Sequence, residues 1–521
     1  MQGMEKRLKK ILMIFYSKID IVNRITVKIA GPAGMGIKSA GLLLAKIVTD
    51  CGYYFADYSE YPSLVRGGHN SYQITYSTEE VFMVDKTADI LVSLVKGHEE
   101  DGKNLWELPL PSNIYANTMA IGALVFRLGL DKNKAIKIIK NRFGDDGKNL
   151  EAFKEGFNFA QKNSVKIKIE DAIGNENKTM IVDGSEAVSW GMVKGGLNFF
   201  AGYPMTPVSG ILHFLAKNQD EFKIKVIHPE DEIAVASMAT GASIAGARSA
   251  VATSGGGFAL MTETVSLNGA MDVGVVYVMG QRPGPATGMP TWTGQGELLF
   301  CVNAGHGEFA KIVLAPGSIE ESFEIGRIAI NLANKYDVPV IVLTDKMICE
   351  GATNTIELSK EKLIVEKSNK IIPGQGKYLY NSYEHDVEGF SVEDSEGAKI
   401  GMEARLKKLE LIKKDSPKVL LLGSPKAKKL IVSWGSTKGA ILEALKGQSD
   451  YAYLQVKTLW PIDKKIEKII NGFETKILIE NNATGQLGQL LKSQMSINFD
   501  KTILKYNGRP FFPDELKEAL L

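Results

Sequence analysis

The chain has 521 residues, room for three or four cores at roughly 150 residues per domain, so it is no small disulfide-held scaffold. Its 62 Lys plus Arg stand against 60 Asp plus Glu, and the net charge of +2 excludes a global field aimed at nucleic acid or a membrane while leaving local anion binding open. With 44% hydrophobic and 23% charged residues wholesale disorder is excluded, and the 52 glycines predict many close-packed or ligand-holding loops.

Residues 1–24 read as a basic amphipathic extension or an over-early start codon. Lys6, Arg7, Lys9 and Lys10 precede Ile11–Tyr16, an apolar run too short for a signal peptide and followed by no small-residue cleavage site. No stretch reaches the about 18 apolar residues that span a bilayer, so a cytoplasmic location is expected. Cys51, Cys301 and Cys349 are too far apart for a C-x-x-C pair, which disfavours a disulfide framework, a zinc ribbon or a self-contained iron–sulfur cluster.

From Ile25 the pattern is a short apolar run, a glycine turn and an amphipathic helix, many times over. This is the signature of α/β layers with mainly parallel sheets. Buried strands are predicted at Thr26–Ala30, Ile90–Val95, Met180–Val182, Ser249–Thr253, Gly274–Met279, Val338–Thr344, Leu430–Ser433 and Lys476–Ile479. They fall into three sets, giving domains at 25–178, 179–365 and 418–521. A polar linker closes the first near residues 174–178, and 366–417 is a charged connector with a helix at Met402–Lys414.

The first strand runs into Gly31-Pro32-Ala33-Gly34-Met35-Gly36-Ile37-Lys38-Ser39 and then a helix, Ala40–Thr49. Strand, glycine turn and helix can aim backbone N–H groups at an anion. Ile37 shifts Lys38 by about 100° around the helix relative to a Walker A motif, and the G-x-x-G-x-G spacing misses the dinucleotide fingerprint. Two readings stand: an anion loop, or a tight turn that packs helix on sheet. Tyr61–Asn70, with Arg66 and Gly67, is a second candidate anion loop; His69 in it has no neighbour to orient it as a base and reads as structural.

In the second set Asp183-Gly184-Ser185 caps a helix expected to continue through Phe200, and the chain turns at Tyr203-Pro204-Met205-Thr206-Pro207. The prolines fix the backbone around the Thr206 hydroxyl; a merely rigid turn is the alternative. His228-Pro229-Glu230-Asp231-Glu232 opens a helix, Ile233–Arg248, of Ala, Ser, Gly, Met and Thr, a composition that permits close approach. Acids at a helix start ordinarily cap it and complement its dipole. Glu232 is the exception, because it is the last acid before the apolar face, where burial would raise its pKa and suit proton sharing with a ring nitrogen. Thr253–Phe258 and Gln281–Gly288 follow the next two strands. Ligands bind at that edge of open parallel sheets, and Arg282 there offers a fork for a carboxylate, with a solvated or structural role as the alternative.

Tyr203–Pro207 resembles the YPITP signature of the 2-oxoacid:ferredoxin oxidoreductases, thiamine-diphosphate enzymes that decarboxylate 2-oxoacids. The likeness extends through Glu230–Ile233, Gly241–Ser243, Gly246–Arg248, Thr253–Gly255, Gln281-Arg282, Gly288–Thr291, His306–Phe309 and Ala315–Gly317. Glu384-His385-Asp386 is similar to the family's connector, Lys429–Glu480 with Asn482, Gly485 and Gln486 to its transketolase-C-like domain, and Gly31–Asn70 to its gamma domain. The resemblance covers nearly the whole chain in the order gamma, then alpha. It implies a Rossmann-like gamma domain, a thiamine-diphosphate pyrimidine-type domain and a transketolase-C-like domain.

The same resemblance implies that Glu232 bonds the aminopyrimidine of thiamine diphosphate, with Pro204, Ser254 and Gly255 around the cofactor. Thr206 and Arg282, with Tyr203 and Thr287, would hold the 2-oxoacid, 2-oxoglutarate being favoured. Loops carrying Gly31, Gly34, Gly36, Arg66 and Gly67 are candidates for coenzyme A. No G-D-G diphosphate motif and no set of four cysteines occurs, so magnesium and the [4Fe-4S] cluster are expected on a beta subunit. Electrons would pass to ferredoxin, and neither nucleic acid nor a membrane span is expected. Gly256 stands where proline is usual and Ala286 where serine is, and Thr291–Gly294 lacks the usual charges, which leaves open pyruvate, branched or aryl 2-oxoacids as substrates and a non-catalytic assembly role.

Overall fold

The computed structural model describes residues 22–63, 68–95, 105–110, 113–144, 147–167, 169–172, 178–368, 370–424 and 426–521. Residues 1–21 of the basic extension, Arg66 and Gly67 of the second glycine loop, and 174–177 of the expected linker lie outside them. The chain divides into two compact units, residues 1–179 and 180–521.

In the first unit, β1 (Arg24–Pro32), β2 (Tyr54–Glu60), β3 (His69–Ser77) and β4 (Ile90–Ser93) lie in the order β4-β1-β3-β2. β1 is parallel to β4 but antiparallel to β3, and β3 is antiparallel to β2. The parallel arrangement expected from sequence therefore holds only at β1–β4. Between β2 and β3 only residues 61–68 intervene, fewer than the dozen or so that a parallel crossover needs. Ile37–Asp50 is the helix after the glycine loop. Helices Ala116–Arg127 and Gly147–Asn163 meet at two glycines. A Cβ on Gly122 would lie 2.0 Å from the Phe153 carbonyl oxygen, and one on Gly156 would lie 1.9 Å from that of Met119, so only hydrogen lets these backbones touch.

The second unit holds a seven-stranded sheet, a five-stranded sheet and the antiparallel pair β5 (Met180–Asp183) with β12 (Ala352–Thr355). The seven strands are β6 (Phe199–Gly202), β7 (Lys225–Ile227), β8 (Ser249–Ser254), β9 (Val275–Gln281), β10 (Ile312–Leu314), β11 (Val340–Asp345) and β16 (Thr458–Trp460). Their order is β16-β10-β11-β9-β8-β6-β7, all parallel except β16. Both faces are covered, and side chains alternate between two cores with the period of two that a strand imposes. Val251, Tyr277, Met279, Ile341 and Leu343 enter one core, and Ala250, Val276, Val278, Val340 and Val342 the other.

The helix expected to run through Phe200 is shorter. Asp183 caps Gly184–Lys194 through Glu186, the glycine pair Gly195-Gly196 with φ +91° at Gly196 ends it, and Phe199–Gly202 becomes β6. Its Phe200 and Ala201 are fully buried on opposite faces, and burying both demands a strand. In the connector the helix is Ser395–Asp415, seven residues earlier in its start than the apolar spacing indicated.

The five-stranded sheet comprises β13 (Leu420–Gly423), β14 (Lys429–Ser433), β15 (Tyr451–Gln455), β17 (Thr475–Glu480) and β18 (Lys501–Leu504) in the order β13-β15-β14-β17-β18. Only β13 is antiparallel. One apolar core runs from the seven-stranded sheet into this one, joining Phe258 and Met279 to Val432, Trp434 and Leu454.

Candidate active site

Parallel strands deliver their following loops to one edge, and four adjacent strands, β9, β8, β6 and β7, deliver the residues singled out above. Arg282 follows β9, Ser254 ends β8, Thr206 follows β6, and Glu232 begins the helix after β7. Asp231, not Glu232, is the cap of that helix and accepts from the Ala234 N–H at 2.8 Å. Glu232 is thereby spared capping and is 6% exposed. Its carboxylate lies against the start of the helix Gly255–Ala270: a Cβ on Gly257 would be 2.8 Å from both Cγ and Oε1 of Glu232.

Arg282 donates from Nη1 to the Thr206 carbonyl oxygen at 3.0 Å, so the structure brings these two residues together. The turn is seated on β9 because residue 280 is glycine; a Cβ there would be 2.5 Å from Val208 and 3.0 Å from Pro207. Tyr203 is partly exposed, its ring edge-on to His228 with centroids 5.8 Å apart, and Pro204 is exposed beside it. Thr287 is exposed on a loop closed by a bond from the Met289 N–H to the Pro283 carbonyl oxygen at 2.8 Å. Among the described residues no hydrogen bond joins it to Thr206 or Arg282.

Three site residues escaped sequence reasoning. Glu297 lies beside Gly255, where a Cβ would be 3.1 Å from its Oε1, and 3.9 Å from the corresponding point on Gly284. Burial pushes its carboxyl up to about 8, with Arg282 opposing the shift and Asp345 adding to it. A signal was available, since Glu297 is the first charge after Arg282 in an otherwise uncharged run. Asp345 ends β11 in register with Gln281; burial raises it to about 6, and the Ser436 hydroxyl donates to it. Arg509 stacks over Trp292, its guanidinium carbon 3.3 Å from the ring centroid, so a charge from another segment covers the uncharged stretch Thr291–Gly294.

Loop 291–297 is fastened to the five-stranded sheet. Fully buried Gln295 donates from Nε2 to the Trp434 carbonyl oxygen at 3.0 Å and accepts at Oε1 from the Asn481 N–H at 2.9 Å. Its own N–H reaches the Asn481 carbonyl oxygen at 2.8 Å. Glu480 supports that anchor by accepting from Trp434 Nε1 at 3.0 Å and Asn482 Nδ2 at 2.8 Å.

Around this edge Ser254 Oγ and, beside Gly255, Glu297 Oε2 are buried and have no hydrogen-bond partner among the described residues. Such atoms each cost about 1–3 kcal/mol, and their grouping marks a place that a polar ligand completes. A Cβ on Gly256 would meet nothing within 4 Å, and this residue is exposed. These features fit the pyrimidine half of thiamine diphosphate.

In the first unit Gly36 takes φ +71° at the start of its helix, where a Cβ would be 2.5 Å from Asn117 Nδ2. Gly34 faces open space, Gly31 pairs with Asn70 across β1–β3, and Lys38 is exposed.

Fold and site define an α/β chain whose mainly parallel seven-stranded sheet carries a buried carboxylate, Glu232, and a guanidinium, Arg282, at one edge. The family model described as pyruvate flavodoxin/ferredoxin oxidoreductase, thiamine diphosphate-binding, matches residues 190–411, and that of pyruvate ferredoxin/flavodoxin oxidoreductase matches 26–105. The 2-oxoacid:ferredoxin oxidoreductase subunit alpha of a Sulfolobus species is 30% identical over 96% of each chain. The 2-oxoglutarate synthase subunit KorA of Methanocaldococcus jannaschii is 28% identical over 66% of this chain and 100% of its own. Among solved structures, 2-oxoglutarate:ferredoxin oxidoreductase from Magnetococcus marinus, with 2-oxoglutarate, coenzyme A and succinyl-CoA bound, superposes with a TM-score of 0.89 at 25% identity, covering 96% of this chain and 99% of that one. The chain belongs to the alpha subunits of the 2-oxoacid:ferredoxin oxidoreductase family. No helix among the described residues is long and apolar enough to cross a membrane.

Proposed function

We propose that this chain, with a gamma-type domain at its N-terminal end, is the alpha subunit of an enzyme that oxidatively decarboxylates a 2-oxoacid, 2-oxoglutarate in first place, to acyl-CoA and CO2. Electrons go to ferredoxin through a [4Fe-4S] cluster on a beta subunit, which also holds magnesium and the cofactor's diphosphate. The observation that carries the reading is the buried Glu232 carboxylate against the start of the helix Gly255–Ala270, on the same sheet edge as the Arg282–Thr206 pair. The Methanocaldococcus relative and the Magnetococcus structure support 2-oxoglutarate by what they are named for.

Thiamine diphosphate, when bound, supplies the carbon nucleophile and the electron sink for decarboxylation. Glu232 holds the proton shared with its ring nitrogen, shielded from water by the helix start at Gly255–Gly257. Arg282 spends one N–H on the Thr206 carbonyl, which fixes the guanidinium plane, and the rest of its fork grips the substrate carboxylate. Ser254 and Gly255 border the cofactor ring, Tyr203 and Pro204 wall the turn, and Thr287 lies on the loop over the substrate. In the first unit the turn with Gly31, Gly34 and Gly36 offers N–H groups to an anionic part of coenzyme A; Arg66 and Gly67 are assigned there on sequence alone.

The partner surface is the side of helices Glu232–Ile244 and Gly255–Ala270 on which Ile233, Met238 and Leu260 are 52%, 44% and 51% exposed. These helices carry Glu232 and the site's glycines, so a beta subunit seated there would meet the cofactor from the other side.

Co-expression with a beta subunit and assay of dye reduction with 2-oxoglutarate, pyruvate, branched-chain 2-oxoacids and indolepyruvate tests the reading. The isolated chain should be colourless and inactive, and the complex should turn over at least one 2-oxoacid, 2-oxoglutarate best. A brown isolated chain with an iron–sulfur EPR signal, or a complex active on none of the four, would overturn it.

A further inference from the structure

Glu297 is a half-buried acid with an enclosed carboxyl oxygen that the mechanism leaves idle. Its backbone N–H bonds Gln281 Oε1 at 3.2 Å, and Gln281 is in turn held by a bond from Nε2 to the Thr344 carbonyl oxygen at 3.2 Å. Its side chain is thus fixed at the strand ends, with Oε1 against the Gly255 backbone and Gly284 nearby. Oε2 is sealed from solvent without a partner among the described residues, as is neighbouring Ser254 Oγ. Although Arg282 is near enough to act on it electrostatically, the guanidinium does not pair with it and turns Nη1 to Thr206 instead. An acid and a guanidinium that do not pair with each other at one sheet edge are complementary to a single anion between them: the guanidinium donates to it with the N–H groups that Thr206 leaves over, and a protonated carboxyl does too, whereas an ionised one would repel it.

Resting on the proposed 2-oxoacid chemistry, we propose that Glu297 is a substrate-reading residue whose carboxyl donates a hydrogen bond from Oε2 to an oxygen of the 2-oxoacid gripped by Arg282. The groups facing Glu297 are Arg282 from the loop after β9, Asp345 from the end of β11, and Cys301 one helical turn on, within the core. Burial dominates them and holds the acid near 8. Neutral below that pH, it donates; ionised above it, it repels. Lys311, close to Cys301, is also brought down by burial to about 8, so wild-type pH dependence alone cannot assign the group and a variant must.

The test uses the full chain assembled with its beta subunit and freed of thiamine diphosphate, so that binding is read without turnover. Titration calorimetry with 2-oxoglutarate and with pyruvate from pH 6 to 10 should show wild-type Kd rising about tenfold per pH unit above about 8, by proton linkage. Glu297→Gln, whose amide also donates but does not titrate, should bind within a few-fold of wild type at pH 7 and show no such rise. Infrared difference spectra of wild type against Glu297→Gln should contain a protonated-carboxyl stretch that disappears near pH 8, a readout independent of binding. An identical alkaline rise in Glu297→Gln, or no titrating carboxyl band, overturns this inference and leaves the 2-oxoacid reading standing. Failure of the wild type to bind either 2-oxoacid at any pH, with the band present, overturns that reading and the inference with it.

Discussion

The helix that begins at Gly255 touches Glu232 only because residue 257 carries no side chain. A methyl group there would lie 2.1 Å from Thr253 Oγ1 and 2.8 Å from Cγ and Oε1 of Glu232, whereas non-bonded carbons settle at about 3.5–4.0 Å. Thr253 is 1% exposed and has no space to yield into, so Glu232 must move by something near an ångström. Overpacking of this kind costs about 1–3 kcal/mol, and misplacing a catalytic group by about 1 Å costs on the order of 10²-fold in rate. Gly257→Ala should therefore lower the urea midpoint of the full chain and slow exchange of the cofactor's C2 proton about 10²-fold in the assembled complex. Gly256→Ala is the control one residue away: its Cβ meets nothing within 4 Å, and alanine is worth about 0.5–1 kcal/mol over glycine within a helix, so stability should hold or rise. NMR-monitored C2–H exchange and urea unfolding read both effects. Wild-type exchange in Gly257→Ala would refute the claim that Glu232, held against this helix, is the proton partner.

Glu232→Gln should leave the complex folded and slow C2–H exchange about 10²–10⁴-fold; near-normal exchange would mean that another acid holds the proton. Arg282→Lys should impair kcat/KM and Arg282→Ala more so, by about 2–4 kcal/mol if the carboxylate pair is desolvated, equally for every accepted 2-oxoacid; sparing of monocarboxylic substrates would show Arg282 reading a distal carboxylate. Glu321 is held down at about 2 by Lys438 and Lys457, with Nζ atoms 2.7 and 2.8 Å from its Oε1. Its folded pKa is depressed, so it stabilises the protein above the unfolded pKa of about 4.3 and loses that contribution as pH falls toward 2. Urea unfolding between pH 6 and 2.5 should show a flatter acid slope in Glu321→Gln than in wild type, and parallel slopes would refute the assignment.

Several strands that sequence reading located, such as Ser249–Ser254 and Val340–Asp345, are buried along their whole length, and continuous apolar runs need no partner to be recognised, although the fully buried β10 and β15 were missed. β3 hid because its buried positions include Ser71, Gln73, Thr75 and Ser77. These polar groups are tolerated by pairing, as where Thr75 Oγ1 meets Thr26 Oγ1 at 2.7 Å, and such pairing is invisible along the chain. At the site, proline, glycine and acid placement singled out Thr206, Arg282 and Glu232 but left structural roles open for the first two, and only the family resemblance implied a role for each. Glu297 was overlooked although its isolated charge after Arg282 marked it, and Asp345 and Arg509 carried no such mark, because what distinguishes them is burial or stacking supplied by segments up to some two hundred residues away, as with Arg509 on Trp292.

The single antiparallel strand of the seven-stranded sheet has a consequence for how this protein can be taken apart. β16 comes from residues 458–460, between β15 and β17 of the other sheet, and closes the β10 side of the sheet that carries the site, pairing Trp460 with Val313 and Thr458 with Leu314. A fragment ending in the connector would leave β10, fully buried in the intact chain, with an open row of N–H and C=O groups and a bare apolar face. Such an edge templates pairing with other chains. The last hundred residues therefore act as a built-in guard against aggregation of the catalytic layer, and the two layers have to be inherited, expressed and engineered as one piece.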